Sequence, residues 1–476
     1  MYKYYGKNTR PFSAICDCNF GRKVIYTNQT AITSKNIVSE LNKALATHII
    51  NAREIQYLDG YYRGDQPILY RQKANRPDVN NKIVLNLAYE LVERKTAEIC
   101  AEPIQYVLRG TDDKKSKEIT ELNVIMETES KQEVDIDICR WRSICGTAYR
   151  FIGKNDVNND LLDESDFELF SENPVNTFVC YFSNKRPAFS CQIRYDEKNN
   201  QVYFCFTKSE WFKIIGGKIV GSGRNGNGAI PVIEYPNNER RLSDIEITIP
   251  ITDAINKLNS DRINGIEQFV SAWIKFVNCE IDEEKFKQMQ SMGAFVVKSN
   301  NGSENKADVD VMTNELNQSE GQVVFNDLFE KFLSIQGLAN RQGNTGGDTQ
   351  GAVNLRNGHY DAGLRTAINE PILKKSERMS LKIILNRLRI NRGYTLMPSD
   401  VEIHINHNKL DNMLVKAEVL KILIEIGISP KEAIKSIDFF GAPEQVSVAS
   451  VERIEKWFNS QTGGVTNNES GKENDL

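Results

Sequence analysis

Few stretches of this chain set chemistry-bearing side chains at a spacing that suits a reaction or a ligand. The first is Gly343-Asn344-Thr345-Gly346-Gly347-Asp348-Thr349, which has no apolar side chain. A glycine-rich turn ahead of a helix can cradle a phosphate, because helix N-terminal amides attract anions. Here Gly343-x2-Gly346-Gly347-x3-Gly351 lacks the Lys and Ser/Thr of a Walker loop. It also follows a helical pattern, where a nucleotide fold places a strand. It reads as a connecting loop. His404 and His407 are the next candidates, as metal ligands. On a strand, positions three apart face opposite sides, so the two imidazoles diverge. Asp308-Val309-Asp310 sets two carboxylates on one strand face, but no third acid or histidine stands beside them, and they read as a solvated acidic edge.

The nine cysteines form an odd set with no C-x2-C pair and no histidine at zinc spacing. Several sit in apolar runs such as Tyr203-Phe204-Cys205-Phe206, and they read as reduced structural thiols. No Gly-x-Ser-x-Gly, His-Glu-x-x-His or Cys/His dyad spacing occurs. No residue is therefore assigned a catalytic role, and neither a metal nor a cofactor is expected.

The elements that would position these residues follow from periodicity. Ile37, Leu41, Leu45 and Ile49 mark a helix over 35–58, and a turn-rich Asp59–Asp65 follows. A helix is expected over 83–100, ending before Pro103, and a longer one over 116–141 that ends near Gly146. From Thr147 to Tyr235 the period changes. Runs at 167–170, 177–182, 189–195 and 201–207 read as an antiparallel meander, with a Gly/Asn loop at Gly221–Gly228 and a last strand at 231–235.

Beyond Pro250, residues 251–278 predict one amphipathic helix with Ile255, Leu258, Ile266, Phe269, Trp273 and Phe276 on its apolar stripe. A small mixed segment at 280–322 has a strand at 294–297 and carries nine acidic against four basic residues. Phe325, Leu328, Phe332 and Ile335 mark a second helix that stops near Arg341. Leu364 to Ile383 lie in one long helix kinked at Pro371. Nine basic and three acidic residues lie between Arg356 and Arg392. Lys374, Lys375, Arg378, Lys382 and Arg389 read as scattered around that helix. A strand at 401–405 and further helices close the chain, with Gly427 as a C-cap and Ser429-Pro430-Lys431-Glu432 as a capping box.

Composition narrows the class. Sixty basic residues stand against sixty-four acidic ones, for a net charge of −4. That argues against a dedicated DNA-binding protein with a basic face. Mean hydropathy is −0.46. No run of eighteen apolar residues occurs, and Met1–Phe20 lacks the apolar core of a signal peptide, so a soluble, unsecreted protein without a membrane span is expected. The Gly, Asn, Ser and charged tail at 460–476 is expected to be disordered. Long amphipathic helices that cannot cover themselves invite packing between copies, and head-to-tail contacts of that kind close into rings.

Several stretches, in this order, resemble the portal proteins of tailed bacteriophages, in the branch with long flexible tails. They are Tyr61-Tyr62-Arg63-Gly64-Asp65-Gln66-Pro67-Ile68, Asn80-Asn81-Lys82-Ile83-Val84-Leu85-Asn86 with the 87–100 helix and Glu102-Pro103-Ile104, Ser143–Tyr149, Ile230–Asn238, and Ser243-Asp244 with Ile251–Trp273. The likeness covers most of 55–455. Where the family has a Ser-Gly pair before the long helix, this chain reads Thr349-Gln350-Gly351-Ala352.

The resemblance implies an α+β portal fold. A helical wing with an antiparallel β meander would occupy 1–240, a stem helix 241–279, a small α/β clip 280–322 and a second stem helix 323–341. A tunnel loop at 342–355 would follow, then a long kinked wing helix at 356–395, a helical crown at 396–459 and the tail at 460–476. It implies a ring of about a dozen copies at one capsid vertex, through which double-stranded DNA is packaged and ejected without sequence specificity. Asn344, Thr345, Gly346, Gly347, Asp348, Thr349 and Gln350 would face the DNA. Glu283, Glu284 and Glu304 would meet the terminase large subunit. A head-completion adaptor and the major capsid and scaffold proteins would be further partners, and the ATPase work would belong to the terminase. The alternatives are a metal- or nucleotide-dependent nuclease, or a minor capsid or adaptor protein without a DNA channel.

Overall fold

The computed structural model describes residues 21–74, 77–110, 112–154, 165–270, 273–277, 284, 287, 308–312, 318–338, 359–405, 413–426 and 428. Helices and strands are mixed along the chain, an α+β arrangement. There are two compact units. One comprises Met1–Ile15, Tyr57–Glu90 and Ile245–Arg365, and the other Cys16–Gln56, Leu91–Asp244 and Thr366–Leu476.

Among the described residues the second unit holds three sheets. In the largest, the order is β1 (Ile25–Thr27), β5 (Thr177–Phe182), β6 (Pro187–Tyr195), β7 (Gln201–Phe206), β8 (Glu210–Ile215) and β9 (Lys218–Arg224). β1 runs parallel to β5, and β5 to β9 form an antiparallel meander; the runs expected at 177–182, 189–195 and 201–207 lie in it, whereas the run at 167–170 belongs to another sheet. Strand β9 takes up part of the expected Gly/Asn loop. Its glycines suit the sheet: Gly223 stands opposite Trp211, and a Cβ there would come within 2.7 Å of the indole nitrogen. β3 (Thr147–Lys154) lies between β10 (Val232–Pro236) and β4 (Phe167–Glu172) in a second, antiparallel sheet. β13 (Val401–His404) pairs antiparallel with β2 (Gln105–Leu108).

Helices supply the other faces of these cores. In α1 (Ile37–Tyr62), Ile37, Leu41 and Ala44 pack with Phe178, Phe189 and Phe212 of the large sheet. The buried stripe advances to His48 at the true helical period, which leaves Ile49 50 % exposed, against the four-residue pattern. The helix predicted over 116–141 is two helices, α3 (Asp113–Thr128) and α4 (Lys131–Cys145), broken where Ser130 takes a left-handed φ of 50°. Asp112 caps α3 by accepting from the backbone N–H groups of Lys114 and Lys115. Gly146 ends α4 at φ +84°, and a Cβ there would strike the Arg241 carbonyl at 2.0 Å.

The main core packs Ile119, Leu122 and Ile138 of α3 and α4 with Ile152 and Ile233, and with Leu381, Ile384 and Leu388 of α7 (His359–Arg392). Pro371 lies inside α7, as expected. α8 (Met413–Glu425) is the last described helix, and Gly427, the Ser429 capping box and the tail lie outside the described residues.

The thiols differ from the expectation in one place. Cys100, at the end of α2 (Leu87–Cys100), is joined to Cys139 of α4 as a disulfide. Cys145, Cys180, Cys191 and Cys205 are buried thiols outside any disulfide. Burial pushes the Cys180 thiol up to about 12, which keeps it protonated and unreactive.

In the first unit, α1 runs on through Tyr62, past the turn predicted at Asp59, and Gly64 makes the turn at φ +95°. The helix expected from Ile83 begins only at Leu87. The helix expected over 251–278 is α5 (Ile249–Val270), and Trp273–Val277 is instead strand β11, paired antiparallel with β12 (Asp308–Met312). α6 (Gln318–Gln336) is the second helix of this unit and ends ahead of Gly337 at φ +65°. The strand expected at 294–297 lies outside the described residues.

Candidate functional site

The most organised polar structure in the first unit is built on α5. Thr252, Asn256, Ser260 and Asn264 recur every four residues and so share one face of the helix. All four are buried, at 2 % exposure or less. Such residues are poor helix formers because their side chains compete for backbone groups. Here Asn256, Ser260 and Asn264 serve the backbone of another segment, residues 81–85, which runs past them.

The Asn81 N–H donates to Asn264 Oδ1 at 2.7 Å, the Ile83 N–H to Ser260 Oγ at 3.0 Å, and the Leu85 N–H to Asn256 Oδ1 at 2.8 Å. Every second residue of the strap meets every fourth residue of the helix, in antiparallel order. The match is geometric: two extended residues span about 6.6 Å and four helical residues about 6.0 Å. The helix thus stands in for a neighbouring strand. Because the strap's N–H groups are satisfied by α5, residues 83–86 do not need helical bonds, and α2 starts late.

Further bonds close the arrangement. Asn256 Nδ2 donates to Gln66 Oε1 at 2.5 Å, and Gln66 Nε2 donates to Asn86 Oδ1 at 3.1 Å and to the Tyr61 carbonyl at 3.2 Å. Asn86 Nδ2 donates to the Tyr62 carbonyl at 2.8 Å. Arg71 donates to Asp261 Oδ1 at 2.6 Å, and the Tyr61 hydroxyl to Asp253 Oδ1 at 2.9 Å. Burial raises the Asp253 carboxyl above its ordinary value, against the lowering effect of Tyr61, and burial together with the Asp253 charge raises the Tyr61 phenol. The motif segments 61–68 and 80–86 are therefore the parts that hold α5.

With that polar face committed, α5 and α6 leave apolar side chains uncovered. Ile263 and Ile266 on α5 are 41 % and 44 % exposed, and Val323 and Val324 on α6 are 68 % and 50 % exposed. The two helices are joined by Arg262 Nη1, which donates to Gln322 Oε1 at 3.1 Å. Uncovered apolar groups on the surface of a protein mark contact sites.

In the second unit, a buried charge cluster anchors α7. Glu377 accepts from Arg150 at 2.8 Å, Lys131 at 3.0 Å, the Tyr235 hydroxyl at 2.9 Å and the Tyr106 hydroxyl. Asp135 pairs with both Lys131 and Arg150, so two cations face two carboxylates. Burial resists ionisation of Glu377, yet Arg150 and Lys131 more than offset it and hold the carboxyl well below its usual range.

Of the basic residues on α7, Arg387 donates to the Gly153 carbonyl at 2.6 Å, and Arg392 pairs with Asp166 at 2.5 Å. Lys375, Arg378, Lys382 and Arg389 are exposed. Spaced by three, four and seven residues, they share one face. They form a stripe, contrary to the scattered distribution expected from the sequence.

The residues singled out in the sequence are placed unevenly. Asn344 to Gln350 lie outside the described residues, as do Glu283, Glu304 and His407. Glu284 is an exposed residue in helical conformation. His404 ends β13 opposite Gln105, and Asp310 of β12 is in register with Lys275. Among the described residues no cluster of three metal-ligating side chains exists. No described helix is long and apolar enough to cross a membrane.

The polar ladder of Asn256, Ser260 and Asn264 on α5 was not among the expectations from sequence, which rested on the helix's apolar stripe. Its signal was available: Asn and Ser recurring at helical spacing within an otherwise good helix.

No curated protein matches the chain. The family model described as phage portal protein, SPP1 Gp6-like, matches residues 41–462 of the 476, a span that takes in parts of both units, the strap and the helix it holds. The chain belongs to the SPP1 Gp6-like family of phage portal proteins.

Proposed function

We propose that copies of this chain close into a ring at one capsid vertex and form the conduit through which double-stranded DNA is packaged and ejected. The observation that carries the reading is the pair α5 and α6: strapped on one side by polar contacts, the pair exposes Ile263, Ile266, Val323 and Val324, and a neighbouring copy would cover them. A heterologous contact of this kind closes when the rotation between copies divides the circle.

In this reading α5 and α6 are the stem and the β11–β12 pair belongs to the clip. The β-rich second unit with α7 is the wing, and 396–459 the crown. The polar loop 342–355 lines the channel, where Asn344, Thr345, Asp348, Thr349 and Gln350 make weak or water-mediated contacts to the DNA backbone. A lumen with few cations suits sliding, because each Lys or Arg on a phosphate adds salt-sensitive attraction. The acidic excess at 280–322, including Glu283, Glu284 and Glu304, docks the terminase large subunit and later a head-completion adaptor through charge complementarity. Capsid and scaffold proteins surround the wing, and the chain itself hydrolyses nothing.

Mass photometry with negative-stain imaging tests this directly. A 54.1 kDa chain in a ring of about a dozen copies gives a particle near 650 kDa with an axial hole. A monomer, or a particle without a hole, overturns it.

A further inference from the structure

Two adjoining concavities run along α7 in the second unit, sharing Met379 and Lys382. One, of about 580 Å³, is floored by Ile230, Val232, Ile233 and Ile383 and has Lys208 at its margin. The other, of about 640 Å³, is lined by Pro371, Lys374, Lys375, Arg378 and Glu370. Among the described residues Glu370 is the only acid in either wall, and it pairs with Lys374 at 2.5 Å. Lys375, Arg378 and Lys382 are exposed and form no ion pair with the described residues.

We propose that this groove is a docking site for an acidic peptide segment of another protein that carries apolar side chains on one face. The argument is one of complementarity. The cations on the exposed face of α7 call for a partner rich in Asp and Glu. The apolar floor beside them calls for aliphatic or aromatic anchors, since a pocket of this size and lining gains most when such groups fill it. From Pro371 to Asn386 the groove follows sixteen residues of helix, about 22 Å from first to last, the length of four turns of an amphipathic partner helix. Duplex DNA meets only half of these demands. Its phosphates suit the cations, but it offers no side chain to reach the apolar floor. The inference goes beyond the portal reading and does not depend on a ring.

Fluorescence anisotropy on the full chain, in the assembly in which it purifies, tests it. The probes are a labelled 16-residue helical peptide of Glu, Ala and Leu with leucines four apart, the same peptide with Leu replaced by Gln, and a 20-base-pair duplex. The leucine peptide is expected to bind, to weaken as salt rises, and to lose about tenfold in affinity or more against Lys375→Gln/Lys382→Gln, whose exposed positions leave the melting temperature unchanged. The glutamine peptide is expected to bind at least about tenfold more weakly to the unaltered chain, a comparison that needs no variant. Equal binding of the two peptides, displacement by the duplex, indifference to the lysine changes, or no binding at all overturns the proposal. Tighter peptide binding on Asp160→Asn/Asp163→Asn/Glu164→Gln also overturns it, since the occupant would then be the chain's own acidic stretch.

Discussion

Asn264 takes the backbone N–H of Asn81 at 2.7 Å, across a separation of 183 positions in sequence. This contact is the first rung of a ladder that continues through Ser260 with Ile83 and Asn256 with Leu85. An amphipathic helix is ordinarily held by its apolar stripe. Here a polar face is buried and the apolar side chains at Ile263 and Ile266 stay outside. A buried polar ladder fixes register, because a slip of one residue would leave every donor unpaired.

Asn256→Ala should therefore be expensive. It strips the acceptor from the half-buried Leu85 N–H and the donor from the buried Gln66 Oε1, for a loss of about 2–3 kcal/mol in urea unfolding. Asn256→Asp keeps the acceptor and should cost less than alanine. Equal stability of Asn256→Ala and the parent chain would remove the strap from the account.

Glu377→Gln should destabilise the second unit by about 3–5 kcal/mol, because Lys131 and Arg150 would keep only Asp135 as a counter-charge. The pH dependence follows from the same pairing. With its pKa lowered in the folded state, Glu377 contributes stability that is whole above the ordinary carboxylate range, near pH 4.5, and falls away as pH drops below it. Thermal melts from pH 6 to pH 3 should show this loss in the parent chain and a shallower one in the variant.

His48 supplies a second, separate window. Its ring is buried against Phe178, Nε2 donates to the Val175 carbonyl at 2.8 Å, and burial lowers its pKa to about 4. The neutral form is the one that folds. Its contribution is complete above about pH 6.5 and is lost as pH falls toward 4, a total of about 3 kcal/mol. His48→Gln should flatten the stability profile between these values, and an unchanged profile would place the titration elsewhere.

Val323→Lys combined with Val324→Lys should break assembly and leave folding alone. Both side chains are at least half exposed in the single chain, so its melting temperature should move little. Charges buried between copies would repel, and mass photometry should show the large species replaced by small ones. Persistence of the ring would mean that copies meet through another face.

Removing 344–350 should leave rings intact and impair DNA packaging or retention. The segment carries no apolar side chain that could anchor an interface. Normal packaging would take the channel-lining role away from this loop.

Much of the fold was legible in the amino-acid pattern. The short β-type runs between Phe167 and Phe206 were recognisable because turn residues separate them, although β5 and β6 are buried at successive positions and do not alternate. The long helix with Pro371 was equally plain. Helix ends were less so. Trp273 and Phe276 continue the apolar rhythm of α5, yet they lie in β11, because pairing with Asp308–Met312 offers their backbone a competing set of bonds. Ile83 continues the rhythm of α2 in the same way and is extended, held by Ser260. In both cases the deciding partner is far away in sequence.

The order of its short motifs, by itself, determined the family of this protein and the alternation of helix and strand, since both follow from local residue types and their succession. Only the tertiary structure decided which face of α5 is buried, that Glu377 sits among Arg150, Lys131 and two tyrosines, and that the cations of α7 align beside an apolar floor. These depend on which distant backbone donors and charges meet, and a single chain read in order carries no record of that meeting.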